Sequence, residues 1–308
     1  MGTDKRVQIL LSTYNGEKYL REQLESIIAQ TAFNQCLILI RDDGSTDGTQ
    51  AILEEYELRD SFIVVYGKNT GVNASYLWLL EHADVSCEYI ALCDQDDVWL
   101  PEKIEKSLSM LDGLNCNRPL LFGSGTKVVD ASLEELPRQL NSEQYRISYY
   151  NAMIQNVLPG HTQMMNRRLL DLALARGFSD VHVIDWWFYL LASGTGEIAF
   201  FPGATVLHRQ HGKNAVGMRT GRLISFRRKL RYIREGRGNA FSKQLFAFYC
   251  RYQSDLSEEY RNETERFFGS MECFASRLRY ILGCKAYRQK KTDTWLFKIL
   301  YLLGKYKL

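Results

Sequence analysis

The sequence predicts an α/β fold: a mostly parallel, doubly wound central sheet with flanking helices, followed by a basic helical extension. Three observations carry that prediction. Within the first 110 or so residues, a short apolar run, a polar turn and an amphipathic helical pattern follow one another four times. Each run ends in Ser, Thr, Asn, Asp and Gly, the composition of a strand-to-helix turn. Past Gly217 the charge changes sign. Residues 219–308 hold 21 Lys+Arg against 8 Asp+Glu, whereas the first 218 hold 18 against 28.

The elements follow in order. Residues 7–11 read as a short buried strand, Ser12-Thr13-Tyr14-Asn15-Gly16 as a turn, and Leu20, Leu24, Ile27 and Ile28 as one helical face. Residues 37–40 form a second strand that runs into Arg41-Asp42-Asp43-Gly44-Ser45-Thr46-Asp47-Gly48, then a helix through Ile52, Leu53 and Tyr56. Residues 62–66 are the third strand, followed by Asn69-Thr70-Gly71 and a helix carrying Leu77 and Leu80. Residues 89–93 are the fourth strand, with a helix expected from Pro101 to about Leu111. Beyond it, strands are expected at 120–123, 127–130, 161–165, 198–201 and 205–207, and helices over 144–157 and through Leu169, Leu170 and Leu174. In such sheets ligands bind beyond the carboxyl ends of the strands, where the polar loops lie.

Composition narrows the classes. The chain of 308 residues is 45% hydrophobic and 24% charged, as ordinary globular proteins are. Seven cysteines without a C-x-x-C pair indicate neither a disulfide framework nor a zinc site. The start is too polar for a secretory leader, and no run of 18 apolar residues occurs. A cytoplasmic location with reduced thiols is expected. Neither G-x-G-x-x-G after the first strand nor G-x-x-x-x-G-K-[ST] is present, so a phosphate has to be held by other means.

Residues 89–99, Tyr-Ile-Ala-Leu-Cys-Asp-Gln-Asp-Asp-Val-Trp, supply those means. Asp94, Asp96 and Asp97 on one turn repel each other unless a cation sits among them. A divalent ion that also holds a diphosphate satisfies them, since Mg²⁺ takes one or two carboxylates plus substrate phosphates. A solvated acidic turn with one Asp capping the next helix is the plainer alternative.

Ser12-Thr13-Tyr14-Asn15-Gly16-Glu17, Asp42-Asp43-Gly44-Ser45-Thr46-Asp47, Asn69-Thr70-Gly71 and Asp94-Gln95-Asp96-Asp97 stand in the order and spacing of family 2 glycosyltransferases of the GT-A fold, which residues 5–215 resemble. Asp-Gln-Asp-Asp-Val-Trp, Asp185-Trp186-Trp187 and His208-Arg209-Gln210-His211-Gly212-Lys213-Asn214 look most like bacterial rhamnosyltransferases that use dTDP-L-rhamnose. The resemblance implies an inverting transfer aided by Mg²⁺ or Mn²⁺. It places Thr13, Tyr14, Asn15, Glu17, Asp42, Asn69, Asp94 and Gln95 on the nucleotide sugar, and Asp94, Asp96 and His211 on the metal. Asp97 is left to ligate, to orient Asp96 or to cap.

Asp185 is implied as the general base, with helix N-capping as its other role. His211 completes the metal shell or touches the diphosphate; Arg209 and Lys213 are further phosphate candidates. Trp186 and Trp187 are a platform for a 6-deoxy sugar or else core, and His161 and Thr162 lie where the family approaches its acceptor. A UDP-hexose donor, or a non-catalytic scaffold of the same fold, is the rival reading.

The division expected is a catalytic domain over 1–217 and a basic helical region over 218–308. Leu223, Phe226, Leu230 and Ile233 make an apolar stripe among arginines, and Trp295 opens an almost wholly apolar last helix. That pairing suits helices lying on an anionic membrane surface, against packing on the main domain or a second subunit. The expectation is a protein peripheral to the inner face of the plasma membrane, acting on a lipid-linked saccharide, with a homo-oligomer open and no nucleic-acid partner.

Overall fold

The structure, a computed structural model, describes residues 5–136, 145–178, 180–210 and 237–308. They fall into two compact units: the described parts of Met1–Gln144, Leu158–Ala175 and Gly196–Gly212 form the first, and those of Tyr145–Val157, Arg176–Thr195 and Lys213–Leu308 the second. The expected boundary at Gly217 and the apolar stripe from Leu223 to Ile233 lie outside the described residues.

The first unit is built on one sheet of eight strands: β1 (Val7–Thr13), β2 (Cys36–Asp42), β3 (Phe62–Tyr66), β4 (Tyr89–Cys93), β5 (Val98–Trp99), β6 (Leu120–Val129), β7 (Met164–Asn166) and β8 (Glu197–Arg209). Their order is β3-β2-β1-β4-β7-β6-β8-β5. Strands β1 to β4 pair parallel in register, Leu11 beside both Ile40 and Cys93. Strand β7 is antiparallel to β4 and β6, β8 is parallel to β6, and β5 is antiparallel to β8. Six strands therefore share one direction and only β5 and β7 oppose it. Helices α1 (Leu20–Ile28), α2 (Thr49–Glu57), α3 (Val72–Glu81), α4 (Lys103–Asp112) and α6 (Arg167–Arg176) connect them. The core is the continuous apolar run expected of strands buried on both faces, such as Ile9, Leu11, Ile38, Ile40 and Ala91, with Leu24, Leu53 and Ile104 from the helices.

Several elements differ from the sequence expectation. The pairs of short strands at 120–130 and at 198–207 are each one strand, β6 and β8. Register shifts around Gly125 absorb the polar, glycine-containing middle, where the Ser124 and Thr205 hydroxyls bond at 2.6 Å. The strand expected at 161–165 opens as a 3₁₀ turn, Gly160–Thr162, because the Thr162 hydroxyl and N–H both donate to the Pro159 carbonyl. The fourth helix begins at Lys103 rather than Pro101.

In the second unit, the helix expected over 144–157 shrinks to α5 (Tyr149–Ala152). Buried Asn151 is drawn into tertiary bonds, donating to the Tyr287 carbonyl and accepting from the Tyr189 hydroxyl. This unit is helical: α5, α7 (Ile184–Thr195), α8 (Arg237–Tyr252), α9 (Glu258–Gly269), α10 (Phe274–Gly283) and α11 (Lys291–Leu302). Its core is aromatic, with Trp187 against Phe248 and Tyr252, and Phe267 against Tyr280 and Tyr301. No helix among the described residues is long and apolar enough to cross a membrane.

One glycine fixes a site loop. Gly44 has φ +77°, and a Cβ there would meet the Asn69 backbone nitrogen at 2.8 Å. Gly44→Ala should therefore destabilise the fold by about 1–3 kcal/mol, read as a lower urea midpoint. An unchanged midpoint would show that the two loops part at no cost.

Candidate active site

Strand direction decides what meets at the carboxyl edge. The six co-directed strands deliver Thr13, Asp42, the turn after Cys93 and Arg209 to one edge of the sheet. The two reversed strands start there. Asp97 immediately precedes β5 and His161 lies three residues before β7, so both enter the same mouth.

The loops of this mouth are held by side chains bonding to backbone. Gln95 spans two of them: its Oε1 accepts from the Thr13 hydroxyl at 2.6 Å and from the Tyr14 N–H at 2.9 Å, while its Nε2 donates to the Tyr14 carbonyl at 3.2 Å. Asn15, at φ 49°, donates its N–H to the Ser45 hydroxyl and accepts from the Thr46 N–H. Glu17 accepts from the Gly48 N–H. Asp43 pairs with buried Arg41 and accepts from the N–H groups of Thr70 and Gly71, which fixes the loop of exposed Asn69. Desolvation opposes its ionisation, but the Arg41 guanidinium and those donors hold its carboxyl below the usual range.

Asp42 is fully buried, bonded to Ser45 and to the Gln50 amide, so here it shapes its turn. Gly48 is the N-cap of α2, and Asp47 accepts from the Thr49 N–H.

The acidic turn closes on a group the sequence reading did not assemble. Asp97 has no exposed surface. Its Oδ1 accepts from His208 Nδ1 at 2.8 Å and from the Arg209 N–H at 3.2 Å, and its Oδ2 lies 3.6 Å from His161 Nδ1. The two imidazoles stack, with centroids 4.6 Å apart and planes 10° from parallel. Asp94 accepts from the Tyr76 hydroxyl at 3.0 Å and faces His161 at 3.6 Å. Desolvation raises the Asp94 pKa, yet His161, His208 and Tyr76 outweigh it and the carboxyl titrates below its ordinary range. For His208, burial works against protonation, but Asp97, then Asp94 and Asp96, prevail and raise its pKa.

Two buried cations complete the frame. Arg209 donates to the Asp96 carbonyl at 3.1 Å and to the Ala131 carbonyl at 2.6 Å, pairs with Glu22 and lies over the Tyr19 ring. It is an internal clamp, not the phosphate ligand expected. Lys103 donates to the Thr162 carbonyl at 3.2 Å and sits 4.6 Å from the Trp99 ring centroid; burial draws its pKa down to about 7. The hydroxyl of Thr162 is spent on its own turn, so this residue shapes the loop that carries His161. Lys103 was not legible, since an isolated Lys in a helix carries no spacing signal; Asp97 was read as a candidate ligand, but its pairing with His208 and His161 was not.

Asp97, His161 and His208 place their ligand atoms within 4.8 Å of one another. Asp97 Oδ2 is buried without a hydrogen-bond partner among the described residues. One carboxylate and two imidazoles fit a divalent ion, and suit Mn²⁺ or Zn²⁺ better than Mg²⁺, which prefers oxygen ligands. Of the expected ligands, Asp94 and Asp96 lie on the adjoining turn, while His211 is outside the described residues, as is Lys213.

The second unit holds the other candidates. Asp185 lies within the first turn of α7 rather than at its N-cap, where its charge favours the helix dipole, and its Oδ1 accepts from the Trp186 N–H. Trp186 donates to the Ala152 carbonyl and stacks on Phe241. Trp187 is completely buried and fills the core.

Residues 8–172 match the family model described as glycosyl transferase family 2. The chain is a family 2 glycosyl transferase. This glycosyltransferase is 28% identical over 253 residues to the dTDP-rhamnosyl transferase RfbG of Shigella flexneri, covering 76% of the chain and 82% of that protein. Among solved structures, it resembles S. aureus TarS 1-349 in complex with UDP-GlcNAc, with TM-score 0.62, 16% identity, and 98% and 82% of the two chains covered. It also resembles the mannosyltransferase PcManGT from Pyrobaculum calidifontis in complex with GDP-Man and Mn²⁺, with TM-score 0.50, 16% identity, and 97% and 85% covered. The fold is GT-A.

The raised His208 pKa gives a signed expectation for the metal-free glycosyltransferase. Its contribution to stability is complete below the unfolded value of about 6.5 and is lost as pH rises through the higher folded value. The Tm difference between the wild type and His208→Ala should therefore shrink as pH rises above that value. A difference independent of pH across this window would remove the Asp97–His208 charge pair.

Proposed function

We propose that this glycosyltransferase is an inverting, metal-dependent enzyme that transfers L-rhamnose from dTDP-L-rhamnose to a lipid-linked glycan in cell-wall or capsule polysaccharide synthesis. Its expected place is the cytoplasmic face of the plasma membrane, on an anionic surface met by the basic C-terminal helices. The observation that carries the reading is the convergence of the Asp94–Asp97 turn with His161 and His208 at the mouth lined by Thr13, Tyr14, Asn15 and Glu17. The 28% identity to RfbG supports rhamnose as the sugar.

In this reading Thr13, Tyr14, Asn15, Glu17 and Asn69 frame the nucleoside. Asp42 takes the pyrimidine N3–H by exchanging its Gln50 partner. Gln95 keeps the turn at the end of β1, and Asp94 and Asp96, with His211, hold the ion. That cation, Mn²⁺ or Mg²⁺, supplies Lewis-acid stabilisation for the charge on the departing diphosphate. Asp185 removes the acceptor hydroxyl proton; the hydroxyl oxygen bonds to the anomeric carbon as the carbon–phosphate oxygen bond breaks, and dTDP leaves with inversion. His161 in the first unit and Trp186 in the helical unit are the candidates for sugar and acceptor contact, while buried Thr162 and Trp187 shape the elements that carry them. A second placement of the ion, on Asp97, His161 and His208, is favoured by the buried Asp97 Oδ2, which has no hydrogen-bond partner among the described residues.

Titration calorimetry separates the two placements. Mn²⁺-dependent dTDP binding should weaken by about tenfold or more in Asp96→Ala; a loss in His208→Ala with Asp96→Ala unaffected would move the ion to the imidazole group. Asp185→Asn should keep dTDP affinity while kcat falls by about 10²-fold or more. Unchanged turnover would assign Asp185 to the helix start. Nucleotide release from matched dTDP- and UDP-sugars tests the donor directly, and a preference for a UDP-hexose would overturn rhamnose.

A further inference from the structure

Helices α10 and α11 present two rows of exposed apolar side chains. Phe274, Leu278 and Leu282 recur at i, i+4 and i+8 on the first, and Trp295, Ile299 and Leu303 do the same along and just past the second. Their exposure runs from 38% for Leu278 to 79% for Leu282. The opposite sides are sealed, because Tyr280 and Tyr301 pack 4.9 Å apart and both lie against Phe267 of α9. At 100° per residue each row falls on the side of its helix turned away from its buried tyrosine. Both rows thus face outward from one aromatic seam.

Charge says what covers them. Residues 273–308 carry nine Lys and Arg and one acidic residue, Asp293. Lys285, Lys290, Lys291, Lys305 and Lys307 are exposed, and the Lys298 ammonium lies 6.0 Å from the ring of Trp295. A second copy of this face would set like charges against each other, at a cost in electrostatic energy. An anionic bilayer surface neutralises them, while Trp and aliphatic side chains enter the headgroup boundary.

We propose that the rows Phe274–Leu278–Leu282 and Trp295–Ile299–Leu303, with their surrounding lysines, are the docking face for an anionic membrane surface. This deepens the membrane-surface reading above and is independent of the donor sugar. Leu282 and Ile299 insert; the lysines meet lipid phosphates.

The full-length protein is sedimented with vesicles of phosphatidylcholine, or of phosphatidylcholine with about 30 mol% phosphatidylglycerol. Binding is expected to the anionic vesicles only, with a blue shift of tryptophan emission that Trp295→Phe abolishes. Leu282→Glu/Ile299→Glu, at exposed positions and checked by circular dichroism, should lower vesicle affinity by about tenfold or more. Equal partition of this variant and wild type overturns the proposal. So does equal binding to both vesicle types, or a wild-type dimer that the variant dissociates without any vesicle binding. Titration of dTDP on the same proteins keeps the readings apart: vesicle binding without nucleotide binding overturns the donor reading alone.

Discussion

The first unit depends on a carboxylate that has no access to water. Burying the charge of Asp97 is tolerable only because His208, the Arg209 N–H and His161 surround it. Those partners come from the end of β8 and from the turn before β7, so the acidic turn is completed by parts of the chain far from it in sequence. Removing one partner of such a group leaves a buried charge uncompensated, at a cost of about 3–5 kcal/mol. The arrangement therefore ties the shape of the mouth to the integrity of the whole sheet.

The same logic governs the neighbouring loops. Gln95 locks the acidic turn to the end of β1, Asp43 locks the loop after β3, and Asn15 locks the loop after β2. Each uses a short polar side chain to satisfy backbone groups that the sheet edge leaves unpaired. Arg209 adds a second tie, joining the Asp96 carbonyl to α1 through Glu22. A glycosyltransferase has little covalent work of its own to do, so holding polar groups in place before the donor arrives is most of its task.

The helical unit solves a different problem. Its core is made of stacked and edge-on aromatic rings, which bury large areas with few rotatable bonds. Aliphatic side chains are thereby released to the outer faces of α10 and α11, where they lie among lysines. The unit thus carries an aromatic seam inside and an apolar, basic face outside.

Much of the first unit was legible because its signals are local. Apolar runs such as 62–66 and 89–93 coincide with β3 and β4, and four strand–turn–helix repeats predict the parallel half of the sheet. The turn motifs place Thr13, Asp42 and Asp94 at one edge because a parallel register leaves no other end for them. Local pattern could not reveal that β5 and β7 run backwards, and that reversal brings Asp97 and His161 to His208. Nor could it show that Arg209 and Trp187 are spent inside the protein, or that Asn151 would end a helix by bonding elsewhere. The sequence alone determined the family, the strand ends and the acidic turn, since these follow from composition and spacing along the chain. Tertiary structure decided which of those charges are buried against one another, because burial and pairing arise only when segments far apart in sequence meet, as Asp97 does with His161 and His208.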